Sequence, residues 1–515
     1  MTKKVTKKKK PKTYLNKRGY AVIKSEFGFR DIHSCKKDMT VAPYIHGDFG
    51  VKPSPFPIFL ESAKKLYLPK HYALEKFGEP EENRMPEGRE IDLEFNGELR
   101  DYQKPIVKAF MNTCKPGGTL SSQSYGGIIS VPCGRGKTIL TLYLISQLKR
   151  KTLIIVHKEF LIEQWVERIR MFLPHARIGL IRQKKVDVLN KDIVIGMLQS
   201  ISMKNYPEEV FEDFGFCAID ECHHLSAEVF SRALPKIGCK YMCGLSATPK
   251  RDDGLSKVFE YYLGPMVYKE ERKGGDNVRV NIITINSDNE DYIREELTNY
   301  GKVCMSRMIN NICEYSKRTD LIVRLVVQML GEGRKILILS DRRGHLDEFN
   351  DKLLSTGLGT VGFYVGGMKP KDRKQSEDCD VILGTYSMAS EGMDIPSLDS
   401  MVLASPKSNI VQPIGRILRK KHLDKPAQVY DIVDNFSHFE RQGVKRRRFY
   451  KRCKYLIIQS EVTDTISMTG EDLYKDSLSE TEIYFDPMSK NSPKSKKYKS
   501  KKKSKKTDDS EICPF

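Results

Sequence analysis

Val131-Pro132-Cys133-Gly134-Arg135-Gly136-Lys137-Thr138 combines two glycines, a lysine and a hydroxyl in a spacing that suits phosphate chemistry. Gly134 and Gly136 let backbone N–H groups approach phosphate oxygens closely. The apolar stretch from Thr138 to Arg150 predicts a helix whose N-terminus points at those oxygens. Lys137 would then reach the β- and γ-phosphates, and the Thr138 hydroxyl would ligate Mg²⁺. The usual loop begins with Gly, where this chain has Val131.

Further along, Phe216-Cys217-Ala218-Ile219-Asp220-Glu221-Cys222-His223 reads as a buried strand that delivers two adjacent carboxylates to its end. Asp220 would hold the same metal ion, directly or through water. Glu221 is the candidate to orient or deprotonate an attacking water. A solvated acid pair at a strand end is the bland alternative. The phosphate-type loop upstream disfavours it, and the two segments together imply a site for a nucleoside triphosphate and its Mg²⁺.

The elements that must position these residues follow from periodicity. Residues 1–18 form a basic tail and 19–95 a β-rich accessory module with many prolines, including a strand near Gly19 to Lys24. Residues 96–272 alternate strand and helix. Thr152 to Val156, Asp192 to Gly196 and Phe216 to Asp220 are apolar runs, and Glu159 to Phe172 has helical spacing. A polar linker, 273–277, leads to a second alternating region, 278–460, and residues 461–515 are polar and Lys-rich. In the second region Lys335 to Ser340, Thr360 to Tyr364, Val381 to Gly384, Met401 to Leu403 and Val429 to Val433 read as strands, and Arg343 to Ser355 as a helix. The fold class is therefore α/β: two tandem parallel-sheet domains, only the first with a phosphate loop, plus a small module and disordered tails. Trp165, the single tryptophan, is expected to pack its helix onto the first sheet; stacking on a base is the less favoured alternative.

Composition narrows the partners. The 515 residues carry a net charge of +21. Nine Lys/Arg lie in residues 1–18 and ten Lys in 490–506, so most of the excess sits in two tracts unable to build a core. Such tracts attract phosphate backbones, and equally serve as solubilising or nuclear-import segments. No run approaches the roughly 18 apolar residues of a membrane span. The N-terminus has no apolar signal core, so secretion is not expected. Twelve scattered cysteines lack paired metal-ligand spacing and point to free thiols in a reducing compartment.

An ordered set of further segments completes the pattern. Leu99-Arg100-Asp101-Tyr102-Gln103 precedes the loop. Gly244-Leu245-Ser246-Ala247-Thr248-Pro249 follows the carboxylates. Glu391-Gly392-Met393-Asp394-Ile395-Pro396 and Gln412-Pro413-Ile414-Gly415-Arg416-Ile417-Leu418-Arg419 lie in the second region. Over about residues 96–435 the set resembles the superfamily 2 helicases and translocases. The resemblance implies RecA-like domains, with Pro132, Cys133, Gly134, Arg135, Gly136, Lys137 and Thr138 around ATP. It implies that Gln103 reads the adenine edge, that Asp220, Glu221 and His223 form the acidic box, and that Ser246, Ala247 and Thr248 couple hydrolysis to movement. Gly392 and Asp394 would lie near the ribose and the cleft, and Arg416 and Arg419 would face the γ-phosphate across it. Such arginines have a rationale of their own, since a guanidinium supplied on closure stabilises charge spread over a transferring phosphoryl group.

Phe160-Leu161-Ile162-Glu163-Gln164-Trp165, Arg251-Asp252-Asp253, Leu66-Tyr67-Leu68-Pro69-Lys70 and Ser340-Asp341-Arg342-Arg343-Gly344-His345-Leu346 resemble the branch of the translocase XPB, the phage helicase UvsW and the poxvirus transcript-release helicase, with versions in large DNA viruses. The expected activity is ATP-dependent movement on nucleic acid, DNA in preference to RNA, alongside transcription or replication machinery. The expected location is inside the host cell, in cytoplasm or nucleus, with packaging in the virion a further option. The alternatives are an RNA helicase and, from another class, a catalytically silent basic scaffold.

Overall fold

Short aliphatic and β-branched runs set the two large sheets. Thr-Leu-Ile-Ile-Val at Thr152–Val156 and Ile-Leu-Ile-Leu at Ile336–Leu339 are buried on both faces, as parallel strands covered by helices on each side must be. The computed structural model describes residues 12–44, 54–115, 125–132, 134–222, 227–247, 253–270, 277–391, 393, 395–417, 425–463 and 482–487.

The first lobe is an eight-stranded sheet. Its spatial order is Lys185–Asp187, Ile178–Arg182, Ile193–Met197, Thr152–Val156, Phe216–Ile219, Tyr241–Ser246, Gly126–Ser130 and Met266–Lys269. All pairings are parallel except that of the Lys185–Asp187 edge. Ile219 pairs with Gly244 and Ser246 with Ser130, so three neighbouring strands end at nearly one level. That level is the carboxyl edge of the sheet, where ligands of open α/β folds bind.

The second lobe is also eight-stranded, in the order Val361–Tyr364, Val381–Gly384, Ile336–Leu339, Ser400–Leu403, Ala427–Asp434, Val278–Asn286, Leu456–Thr463 and Glu482–Phe485. The expected boundary at residue 460 needs correction. Leu456–Thr463 runs past it, and Glu482–Phe485 pairs antiparallel with that strand. Its polar composition hid an edge strand, which needs apolar residues on one face only.

An antiparallel core of Thr13–Asn16, Gly19–Ile23 and Lys65–Leu68, extended at its edges, builds the N-terminal module, so the expected boundary between a disordered tail 1–18 and a module from 19 needs correction: Thr13–Asn16 is a strand of the module. Leu15, Tyr20, Val22, Leu66 and Leu68 pack on the helix Lys70–Phe77 and continue into Leu255 and Val258 of the first lobe. Tyr262 donates from its hydroxyl to the carbonyl of Ile58 at 2.7 Å, tying module to lobe. The linker 273–277, apart from Asn277, and both basic tracts apart from residues 12–18 lie outside the described residues. Among the described residues no helix is long and apolar enough to cross a membrane.

Candidate nucleotide site and interlobe cleft

The phosphate loop leaves the strand Gly126–Ser130 and enters the helix Lys137–Leu148. Gly134 and Gly136 take φ of +85° and +80°, the left-handed region where a side chain is strained. A Cβ on Gly136 would also meet Gln103 Nε2 at 2.6 Å. Val131, the departure from the usual loop, is fully buried in the first lobe's core, and its N–H donates to the Ser246 carbonyl at 3.0 Å. The side chain anchors the strand end, and the main chain joins the phosphate loop to the Ser246-Ala247 segment.

Gln103 is nearly fully buried. Its Oε1 accepts from the N–H of Arg100 at 3.0 Å, and its Nε2 donates to the carbonyl of Arg135 at 3.0 Å. The amide therefore braces the phosphate loop, and an adenine edge would have to compete for it. Arg135 lies 4.7 Å from the Tyr102 ring centroid and pairs with Glu270, so the loop is held from three sides.

Lys137 forms an ion pair with Glu221. Asp220 and Glu221 are both buried at the end of Phe216–Ile219. Burial pushes the Asp220 carboxyl above its ordinary range, and the Glu221 charge adds to the shift while Lys137 opposes it. Glu221 has φ +45°, a strained backbone of the kind that persists where surrounding structure enforces it. Trp165 is buried in the core as expected, and its Nε1–H donates to Asp220 Oδ2 at 3.0 Å. Sequence reasoning missed that bond, because nothing local signals a partner 55 positions away.

Two adjacent buried carboxylates beside the Lys137 ammonium are a donor set that could hold a further cation. Among the described residues no group of three His, Cys, Asp or Glu could cage a metal alone. Mg²⁺ is bound through one or two protein oxygens together with phosphates and water, and the Asp220 carboxylate could supply one of them. Thr138 stands in the first turn of the loop's helix, as such a site requires.

In the second lobe Arg416 lies on the helix Val411–Ile417. Its Nε donates to the Ala389 carbonyl at 2.7 Å and its Nη1 to the Met393 carbonyl at 2.9 Å, while Nη2 donates to Ser390. In this arrangement the guanidinium braces its own lobe, and Arg416 as a whole is 6% exposed; the expected reach across the cleft would require the lobes to close. Cys133, His223, Thr248, Gly392, Asp394 and Arg419 lie outside the described residues.

Between the lobes lies a cavity of about 490 Å³. Lys158, Phe160, Arg182 and Gln199 line it from the first lobe, and Ser387 and Met388 from the second. Beside it Arg373 Nη2 approaches Glu163 Oε2 at 3.2 Å, with the guanidinium 5.9 Å from the Phe160 ring centroid. This contact joins the helices Pro370–Ser376 and Glu159–Phe172 across the cleft.

Two parallel-sheet lobes, a candidate phosphate loop at a carboxyl edge and a cleft between the lobes fit a two-lobed nucleotide hydrolase of the motor type. Two family models match in series: "Type III restriction enzyme, res subunit" over residues 96–251, and "Helicase conserved C-terminal domain" over 317–421. The protein L396 of Acanthamoeba polyphaga mimivirus, which carries an ATP-dependent RNA helicase name, is 33% identical over 470 residues, covering 89% of each chain. QP509L of African swine fever virus, similarly named, is 28% identical over 396 residues, 72% of this chain and 75% of its own. The DNA 3'-5' translocase XPB2 of Sulfurisphaera tokodaii is 28% identical over 421 residues, 73% of this chain and 90% of its own. The chain belongs to the superfamily 2 helicases, enzymes that hydrolyse ATP, and it has relatives in large DNA viruses.

Proposed function

We propose that this helicase moves on double-stranded DNA, with ATP and Mg²⁺ bound at the carboxyl edge of the first lobe, in viral transcription, repair or recombination. The observation that carries the reading is the cluster of Lys137, Glu221 and Asp220 at the mouth of a glycine-strained phosphate loop. Lys137 would exchange Glu221 for the β- and γ-phosphates. That exchange would release Glu221 to orient and accept a proton from water. Thr138 and Asp220 would hold Mg²⁺, which supplies charge neutralisation on the phosphate oxygens. Ser246, through its carbonyl on Val131, ties the loop to the segment expected to relay hydrolysis. Arg416 would have to trade its three carbonyl partners for phosphate, so its contribution, with that of Arg419, belongs to a closed arrangement of the lobes.

Lys158, Arg182 and Gln199 suit a sugar–phosphate backbone passing through the cavity, which such side chains grip without reading bases. The XPB2 relative supports DNA. The RNA-helicase names of the two viral relatives support RNA as the second reading. The test is steady-state ATPase with duplex DNA, single-stranded DNA, forked DNA and RNA. Duplex DNA should stimulate most, and stimulation by RNA alone would transfer the activity to RNA. Lys137→Ala should abolish turnover under every condition; unaltered turnover would reject the phosphate-loop assignment.

A further inference from the structure

We propose that Trp165 is a positioning residue for Asp220: its indole N–H holds the carboxylate in the orientation that receives Mg²⁺, and its ring reports occupancy of the site. The inference rests on the nucleotide site proposed above and adds a residue to it.

Trp165 sits in the second turn of the helix Glu159–Phe172, whose inner face is Leu161, Trp165 and Ile169. The ring is 2% exposed and packs in the core of the first lobe. The indole adds one donor, which a buried tryptophan must satisfy, and it satisfies it on Asp220 Oδ2 at 3.0 Å. Asp220 is thereby fixed twice, since its main-chain N–H also donates to the Ile155 carbonyl at 3.0 Å. Main chain and side chain are both set before a ligand arrives, as a metal-binding carboxylate requires.

The same helix begins at the cleft. Glu159 and Phe160, in its first turn, line the interlobe cavity, and Glu163 meets Arg373 of the second lobe. The indole therefore joins the proposed metal carboxylate to the element that touches the other lobe.

Trp165→Phe keeps an aromatic ring and removes the donor together with the pyrrole half of the indole, so melting temperature is followed beside it. In the full chain, a fluorescent ATP analogue should bind in EDTA within about twofold of wild type. The Mg²⁺ concentration giving half-maximal tightening of that binding should rise roughly tenfold, the cost of losing a hydrogen bond to a charged group. A Mg²⁺ midpoint within twofold of wild type overturns the proposal. A role confined to packing would lower the melting temperature and leave that midpoint in place.

Should Trp165→Phe fail to fold, the wild-type indole supplies the second measurement. As the only tryptophan, its emission should change when Mg²⁺ and ADP are added together, and Asp220→Asn should abolish the change. Emission that stays constant at saturating Mg²⁺ and ADP overturns the proposal. Lys137→Ala separates the two levels: full turnover by that variant defeats the site itself. An inactive Lys137→Ala beside an unmoved Trp165→Phe midpoint defeats only the role of the indole.

Discussion

Glu221 carries two burdens at once. It is held in the left-handed region and paired with Lys137. If it accepts the proton of the attacking water, the amide in Glu221→Gln keeps the shape and loses the basicity. ATP binding should persist while hydrolysis falls on the order of 10²–10⁴-fold. A variant that no longer binds ATP would contradict the role of base and recast Glu221 as a partner of Lys137. His345 makes a different residue-level case. It is buried beside Ser340 Oγ at 3.1 Å, and burial, with the nearby Arg318 charge, pushes its pKa down to about 3. The unfolded imidazole titrates near 6.5. Between those values the unfolded chain binds the proton and the folded one does not. Stability is therefore complete above about pH 6.5 and is lost as pH falls towards 3, by about 1.4 kcal/mol per pH unit. Thermal melts at pH 7.0 and 5.5 should show that loss in wild type and a smaller one in His345→Gln; identical pH dependence in both would remove His345 from the account.

At the level of elements, Ala427–Asp434 shows what patterning reveals and what it conceals. The strand Ala-Gln-Val-Tyr-Asp-Ile-Val-Asp is buried along its whole length despite two aspartates. Asp431 receives Arg446 Nε at 2.9 Å and the Tyr450 hydroxyl at 2.8 Å, and Asp434 receives Arg318 Nε at 2.7 Å. Removing one member leaves a buried charge without its counterpart, so Asp431→Ala should cost about 3–5 kcal/mol of stability. Denaturant melts of the variant would show it, and a midpoint equal to wild type would mean that Arg446 finds water. The aliphatic core of this strand is legible in the sequence because its runs are contiguous. The network is not, because Arg318 lies more than a hundred positions away and only the fold brings it in. The same limit applies at the proposed nucleotide site. Lys137, Asp220 and Glu221 are candidates that local spacing alone marks out. The Trp165 bond, the brace made by Gln103 and the Arg416 contacts depend on neighbours set by topology. Val131 shows the reverse: a local anomaly that the fold explains by burying its side chain.

Across the whole molecule, the positive charge is unevenly spread along the chain. Ten lysines fall within residues 490–506 with no acid among them, while the lobes carry intermixed charges. A tract of that kind contributes through counterion release, which is strong in dilute salt and fades as salt rises. The interlobe cavity has only Lys158 and Arg182 as cations among the lining residues, so it can contribute far less counterion release than ten lysines. The two contributions should therefore separate in a titration. Deleting residues 490–515 should weaken duplex binding most at about 50 mM salt and flatten the slope of log affinity against log salt, by roughly 0.9 for each phosphate contact removed. ATPase at saturating DNA should stay near wild type, because the shortened chain keeps every residue of the proposed nucleotide site and of the cleft. Parallel salt slopes for the full and shortened chains would assign the lysines to solubility or nuclear import and leave the cleft as the place where this helicase holds its track.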